Sequence, residues 1–135
     1  FRQQNGETVG VIPEFMLAYE IPHNQLTELH IVKTMHERKA IMAERASAFV
    51  ALPGGLGTFE EILEVATWAQ LNLHQKAMML YNVNGFYNAL IAQLDHAVEE
   101  GFLPPQHRAK LIICNHADQI INAIKNLNAP KHFVI

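Results

Sequence analysis

Cysteine is nearly missing from this chain: Cys114 stands alone among 135 residues. A single cysteine excludes an intrachain disulfide framework and a zinc site built on cysteines. Such usage fits a reducing, cytoplasmic setting. No apolar run reaches the length of about 18 to 20 residues that crosses a bilayer, so no membrane association is expected. A basic excess is missing too: ten Lys and Arg face thirteen Asp and Glu, for a net charge of −3. Nucleic-acid binders usually carry the opposite balance, so no nucleic-acid partner is expected. The eight histidines do not cluster, and no HExxH occurs. His36 has no second ligand at i+4, so we expect no metal. The sequence opens on Phe1 rather than Met, and residues 1–7 read as the tail of a helix and a turn, not as a signal peptide. A further N-terminal segment is therefore expected in a longer parent chain.

Half of the residues are hydrophobic and 17% are charged. That composition supports one packed domain over residues 1–135. Short apolar runs alternate with longer amphipathic ones. Strands are expected at 8–12 (TVGVI), 26–33, 48–52 (AFVAL), 76–81 (KAMMLY) and 111–114 (LIIC). Helices are expected at 35–46, 58–71, 86–100 and 117–127, with a turn at 53–57 (PGGLG). The tail after Asn128 reads as frayed. Strands apolar on both faces and separated by helices imply an α/β fold. The expected class is a Rossmann-like, doubly wound parallel sheet with helices on both faces, its first strand or strands missing from this chain. Trp68, Met78, Met79 and Phe59 read as core residues.

The most informative stretch is residues 51–64, ALPGGLGTFEEILE, which runs strand, glycine turn, helix. Three glycines in four residues would allow positive φ and a close approach of backbone to ligand. Thr58 can cap the helix, and the exposed N–H groups with the helix dipole suit an anion such as a phosphate. A Walker loop would need Lys after Gly57, and none is there; a dinucleotide fingerprint would need Gly where Glu60 stands. Glu60 and Glu61, read as lying in the first helical turn, would repel a pyrophosphate, so a monophosphate fits better. Two readings of Glu61 stand side by side: the acid of a Thr58-x-x-Glu61 capping box, or a catalytic carboxylate. Taken alone, Glu60 and Arg38 read as solvated surface charges, and Thr67 as a helix-face hydroxyl bonded to its own backbone.

PGGLGTFEE at residues 53–61 resembles the PGGxGTxxE signature of the LOG family, the cytokinin riboside 5′-monophosphate phosphoribohydrolases often mislabelled as lysine decarboxylases. Met35-His36-Glu37-Arg38-Lys39 matches that family's second signature, MHxRK, at the family's separation. AERASAFVAL between the two motifs, and EVATWAQLNLH and NVNGFYNALIAQLDHAVEEGFL after them, continue the likeness over nearly the whole chain. One departure is the family's opening strand and its further Gly/Ser-rich loop, which have no counterpart here.

The resemblance implies hydrolysis of the N-glycosidic bond of a purine nucleoside 5′-monophosphate, AMP or an N6-modified, cytokinin-type AMP. The products would be free base and ribose 5-phosphate. No cofactor is implied. Such cleavage passes through an oxocarbenium-like ribose. Glu61 would stabilise that cation or activate water, and Arg38 would act through its permanent charge and hydrogen bonds. Gly54, Gly55, Leu56, Gly57 and Thr58 would hold the phosphate. Glu20, Lys39, Glu60 and Thr67 fall at substrate-contacting positions. A homodimer is implied, with a higher oligomer as the variant. Two rivals belong to other classes. A non-catalytic nucleotide-binding module would keep the loop and lack turnover. A lysine decarboxylase would need a Schiff-base lysine, and none of Lys33, Lys39, Lys76, Lys110, Lys125 and Lys131 lies in a recognisable pyridoxal-phosphate context.

Overall fold

A computed structural model describes residues 6–19, 22, 24–127 and 133–134. The chain divides into two compact units, Phe1–Arg45 and Ala46–Ile135.

In the first unit, β1 (Val9–Pro13) and β2 (Glu28–Val32) pair in parallel, with Val9 opposite Glu28 and Pro13 opposite Val32. Pro13 ends β1, and a 3-10 turn follows over Glu14–Ala18, which apolar patterning does not signal. Helix α1 covers Met35–Arg45. Its start is fixed by side chains. The Glu37 N–H donates to Thr34 Oγ1 at 3.1 Å, and Glu37 Oε2 accepts from the Lys33 N–H at 2.8 Å. Two donors left over at the helix N-terminus are thereby satisfied. At the other end, both terminal nitrogens of Arg45 donate to the Glu28 carboxylate at 3.2 Å, and His30 bonds the same carboxylate. Successive strand residues point to opposite faces, so Glu28, His30 and buried Val32 share one. Arg45 thus joins the end of α1 to β2.

The second unit runs β3 (Ala48–Ala51), α2 (Leu56–Gln70), β4 (Ala77–Tyr81), α3 (Asn88–Glu99), α4 (Pro105–Arg108), β5 (Leu111–Cys114), α5 (Ala117–Lys125) and β6 (Phe133–Val134). The four strands form one parallel sheet in the order β5-β4-β3-β6. The chain moves outward from β3 to β5, then returns to place β6 on the other side of β3. Strand order therefore reverses at β3. Every residue of β3 is buried, as expected of a central parallel strand. Ala48, Val50, Met79 and Cys114 pack against Ile120, Ala123 and Ile124 of α5. The alternate residues Phe49, Ala51, Met78 and Leu80 point to the opposite face, where Ile62 and Val65 of α2 are buried. Each large apolar side chain removed from water here contributes about 1.5–3 kcal/mol. Helices thus cover both faces, which is the doubly wound, Rossmann-like α/β class.

His74 joins α2 to β4. Its Nε2 hydrogen-bonds the Val65 carbonyl at 2.7 Å, its Nδ1 lies 3.0 Å from the Lys76 N–H, and its ring packs on Phe49 at 5.5 Å. Since Val65 O only accepts and the Lys76 N–H only donates, one tautomer satisfies both.

Several boundaries differ from the sequence reading. Helix α3 starts at Asn88, because a 3-10 turn over Val83–Gly85, with Asn84 at φ 52° and Gly85 at φ 70°, occupies the preceding residues. Helix α4 was not expected; Pro105 at its first position suits a helix start. The tail read as frayed includes β6, whose backbone pairs with β3. No helix among the described residues is long and apolar enough to cross a membrane.

Candidate active site

In a parallel α/β sheet, ligands bind beyond the carboxyl ends of the strands where strand order reverses. The glycine-rich turn stands at that place, between the end of β3 and the start of α2. Its local structure corrects the sequence reading at three points.

Helix α2 begins at Leu56, not at Thr58, and Gly55 is its N-cap. The Phe59 N–H closes the first turn on the Gly55 carbonyl at 3.1 Å. The first N–H groups of a helix need no intrahelical acceptor, so glycine is tolerated there as it is not in mid-helix. Gly55 has no side chain with which to cap α2. With Gly55 and not Thr58 at the N-cap, the Thr58-x-x-Glu61 capping box is not formed, whereas the same pattern at Thr34 and Glu37 holds the start of α1.

The first turn of α2 also holds no acidic residue. Glu60 and Glu61 lie in the second turn, so the N–H groups of the first face no carboxylate from within that turn. The third correction concerns φ. Among the described glycines only Gly85 and Gly101 have positive φ. Gly54 is required for space instead: a β-carbon there would sit 2.2 Å from Thr58 Oγ1 and 2.9 Å from Thr58 Cβ. Among the described residues, a β-carbon on Gly55 or Gly57 would meet nothing within 4 Å. Neither φ nor packing against the described residues demands glycine at those two positions.

Thr58 and Glu61 line one small pocket of about 50 Å³ between β3 and α2, with Phe49, Ala51 and Ile62 on its other walls. That volume suits a few water molecules and not a nucleotide. Glu60, the next-door carboxylate, is exposed and is not part of the lining. One residue along a helix turns a side chain by about 100°, which separates the two acids. Thr67 is exposed further along α2, and its hydroxyl donates to the Leu63 carbonyl at 2.8 Å, as read from the sequence.

Arg38 and Lys39 belong to the first unit. Arg38 is half-buried on α1, and its Nε donates to the Val11 carbonyl of β1 at 3.0 Å. It is thus tied to its strand rather than spread on the surface. Lys39 is also half-buried. Glu20 lies outside the described residues.

The sequence reading missed a buried polar assembly beside the loop. Tyr87 is 1% exposed, and its hydroxyl donates to the Leu52 carbonyl immediately before the PGGLG turn. Burial raises the Tyr87 phenol above its ordinary pKa, which keeps it a donor. Asn82, also buried, accepts the Tyr87 N–H through Oδ1 at 2.7 Å and donates through Nδ2 to Asn88 Oδ1 at 2.9 Å. The Asn82 N–H reaches the Cys114 carbonyl at 2.7 Å. Only the Asn-rich turn around Gly85 hints at this in the sequence; partners 35 residues apart leave no periodic trace.

A parallel α/β fold with a glycine loop at the point of strand reversal defines the Rossmann-like class, in which ligands bind at that point. A family model described as possible lysine decarboxylase matches residues 1–124. The chain is 49% identical over 122 residues to the cytokinin riboside 5′-monophosphate phosphoribohydrolase of Rhodococcoides fascians, covering 90% of this chain and 62% of that protein. It is 44% identical over 124 residues to an Arabidopsis thaliana enzyme of the same name, covering 92% of this chain and 58% of the relative. A probable rice enzyme of that name is likewise 44% identical over 124 residues, with 55% of its own length covered. The chain belongs to the LOG family. It spans somewhat more than half the length of these relatives.

Proposed function

We propose that this protein is a nucleoside 5′-monophosphate phosphoribohydrolase. It cleaves the N-glycosidic bond of AMP or an N6-modified, cytokinin-type AMP. Water supplies hydroxyl to the anomeric carbon of the ribose and a proton to the departing base, so the products are ribose 5-phosphate and free base.

One observation carries the reading. Glu61 lies beyond the first turn of α2, and it shares a small pocket with Thr58 at the glycine loop. In this mechanism Glu61 draws a proton from the attacking water and offsets the positive charge developing on the ribose. Backbone N–H groups of residues 54–58 and the Thr58 hydroxyl hold the phosphate. The open space at Gly55 and Gly57 suits close approach of such an anion. Arg38 acts as a fixed cation whose fork of donors is oriented through Val11. Glu20, Lys39, Glu60 and Thr67 are assigned to substrate contact by their motif positions. The reading includes a cytoplasmic homodimer; Leu56, Leu71 and Leu73, 85%, 63% and 69% exposed at the two ends of α2, suit a partner surface.

The test uses the full natural chain. It is incubated separately with AMP and with N6-isopentenyl-AMP, and free base is separated by chromatography. Lysine with pyridoxal phosphate is the control. Free base from either nucleotide supports the proposal. Bound nucleotide without base would replace it with a non-catalytic binding module.

A further inference from the structure

Tyr87 touches the glycine loop at both of its ends. Its hydroxyl holds the Leu52 carbonyl, one residue before Pro53. Its ring meets Phe59, one residue after Thr58, edge-on at 6.2 Å and 70°. Phe86 packs perpendicular to the same ring, with centroids 4.9 Å apart. Residues 54–58, which lie between the two contacts, are the ones assigned to the phosphate. Tyr87 is itself held from behind. Asn82 fixes its backbone N–H, and Asn82 is bonded to Cys114 at the end of β5, to Asn88 at the start of α3, and more weakly, at 3.5 Å, to Asn115. The carboxyl ends of β4 and β5 are therefore linked through Asn82 and Tyr87 to the two ends of the loop.

We infer that Tyr87 is a positioning residue that sets the glycine loop for its anion, with Asn82 as its anchor. The inference rests on the reading of that loop as the phosphate site. A bond from a buried hydroxyl to a loop's first carbonyl restrains the direction in which the following N–H groups point. Such restraint acts on phosphate binding in ground state and transition state alike, so its loss raises KM and leaves kcat nearly unchanged.

The experiment compares wild type with Tyr87→Phe in the full natural chain. Phenylalanine keeps both ring contacts and deletes only the hydroxyl. AMP turnover, ribose 5-phosphate binding and amide hydrogen exchange at residues 54–58 are read in both proteins. The expected result is a KM increase of about five- to fiftyfold, kcat within about twofold, a parallel loss of ribose 5-phosphate affinity, and faster exchange confined to the loop. Unchanged KM and unchanged loop exchange, even with a lowered Tm, would overturn the inference and leave Tyr87 a core residue. If wild type binds no ribose 5-phosphate, the phosphate reading fails by itself; loop exchange then still decides whether Tyr87 restrains the loop. Asn82→Asp retains the acceptor for the Tyr87 N–H and should keep KM closer to wild type than Asn82→Ala.

Discussion

Gly54 and Thr58 occupy the same space: the hydroxyl of Thr58 stands 2.2 Å from the point where a β-carbon on Gly54 would lie. Rotating Thr58 does not resolve the conflict, because its own Cβ is 2.9 Å from that point. Gly54→Ala must therefore shift the start of α2, costing about 1–3 kcal/mol and the alignment of the loop N–H groups. Gly57→Ala meets no such obstacle, and alanine in the first turn of a helix should stabilise by up to about 1 kcal/mol. Urea unfolding together with ribose 5-phosphate titration separates the two. Gly54→Ala should lose both stability and binding. Gly57→Ala should keep at least its stability and lose binding alone, because the new methyl group would take up open space beside the N–H groups assigned to the phosphate.

The two neighbouring glutamates should divide sharply. Glu61 lines the pocket and Glu60 does not. Glu61→Gln keeps the shape and removes the base, so kcat should fall by about 10²- to 10⁴-fold with an unchanged circular dichroism spectrum and melting temperature. Glu60→Gln should change kcat by less than about tenfold on the same scale. The opposite ranking, measured on AMP, would move the catalytic role to Glu60.

The strand–helix alternation was legible because β3, β4 and β5 are short apolar runs between amphipathic segments, whereas β6 lies in the tail read as frayed. The loop was legible as a turn from strand to helix, but its mechanics were not. Glycine clusters usually signal positive φ, and here Gly54 answers to the bulk of Thr58 four residues on. The same cluster hid the first residues of α2, since glycine reads as a helix breaker although the first turn tolerates it. The capping pattern Thr-x-x-Glu occurs at both Thr34 and Thr58, and only the backbone shows which one caps. The Tyr87–Leu52 bond spans 35 residues and had no local signal.

Acid should loosen the first unit through Glu28. Hydrogen bonds from Arg45, then from His30, hold its carboxyl below the ordinary carboxylate range. A lowered folded pKa gives stability that is fully present above the ordinary value, where the carboxylate is charged in both states. That stability is lost as pH falls from the ordinary value through the lower folded one. Glu28 and Arg45 are both exposed, so solvent keeps the effect small. Glu28→Gln should lower the neutral plateau of a Tm-against-pH curve slightly and leave its acid end nearly unchanged, so that the acid limb flattens. A variant curve parallel to wild type through the acid range would show that the cluster contributes nothing.

Arg38 carries two duties that substitution can separate. Its Nε bond to the Val11 carbonyl is structural, and loss of one such bond from a charged donor costs about 1.5–3 kcal/mol. Its charge is assigned to the substrate. Arg38→Ala removes both, so stability and turnover should fall together, with kcat/KM for AMP down by more than about a hundredfold. Arg38→Lys keeps a cation and loses the planar fork, so it cannot hold Val11 and reach outward at once. It should recover part of the stability and little of the activity. The readouts are the urea midpoint and kcat/KM, taken on the same preparations. If Arg38→Lys restored full activity, a point charge would suffice and the fork held by Val11 would have no part in the reaction. If Arg38→Ala lost only stability, Arg38 would serve α1 and β1 alone, and the cation acting on the substrate would have to come from another residue.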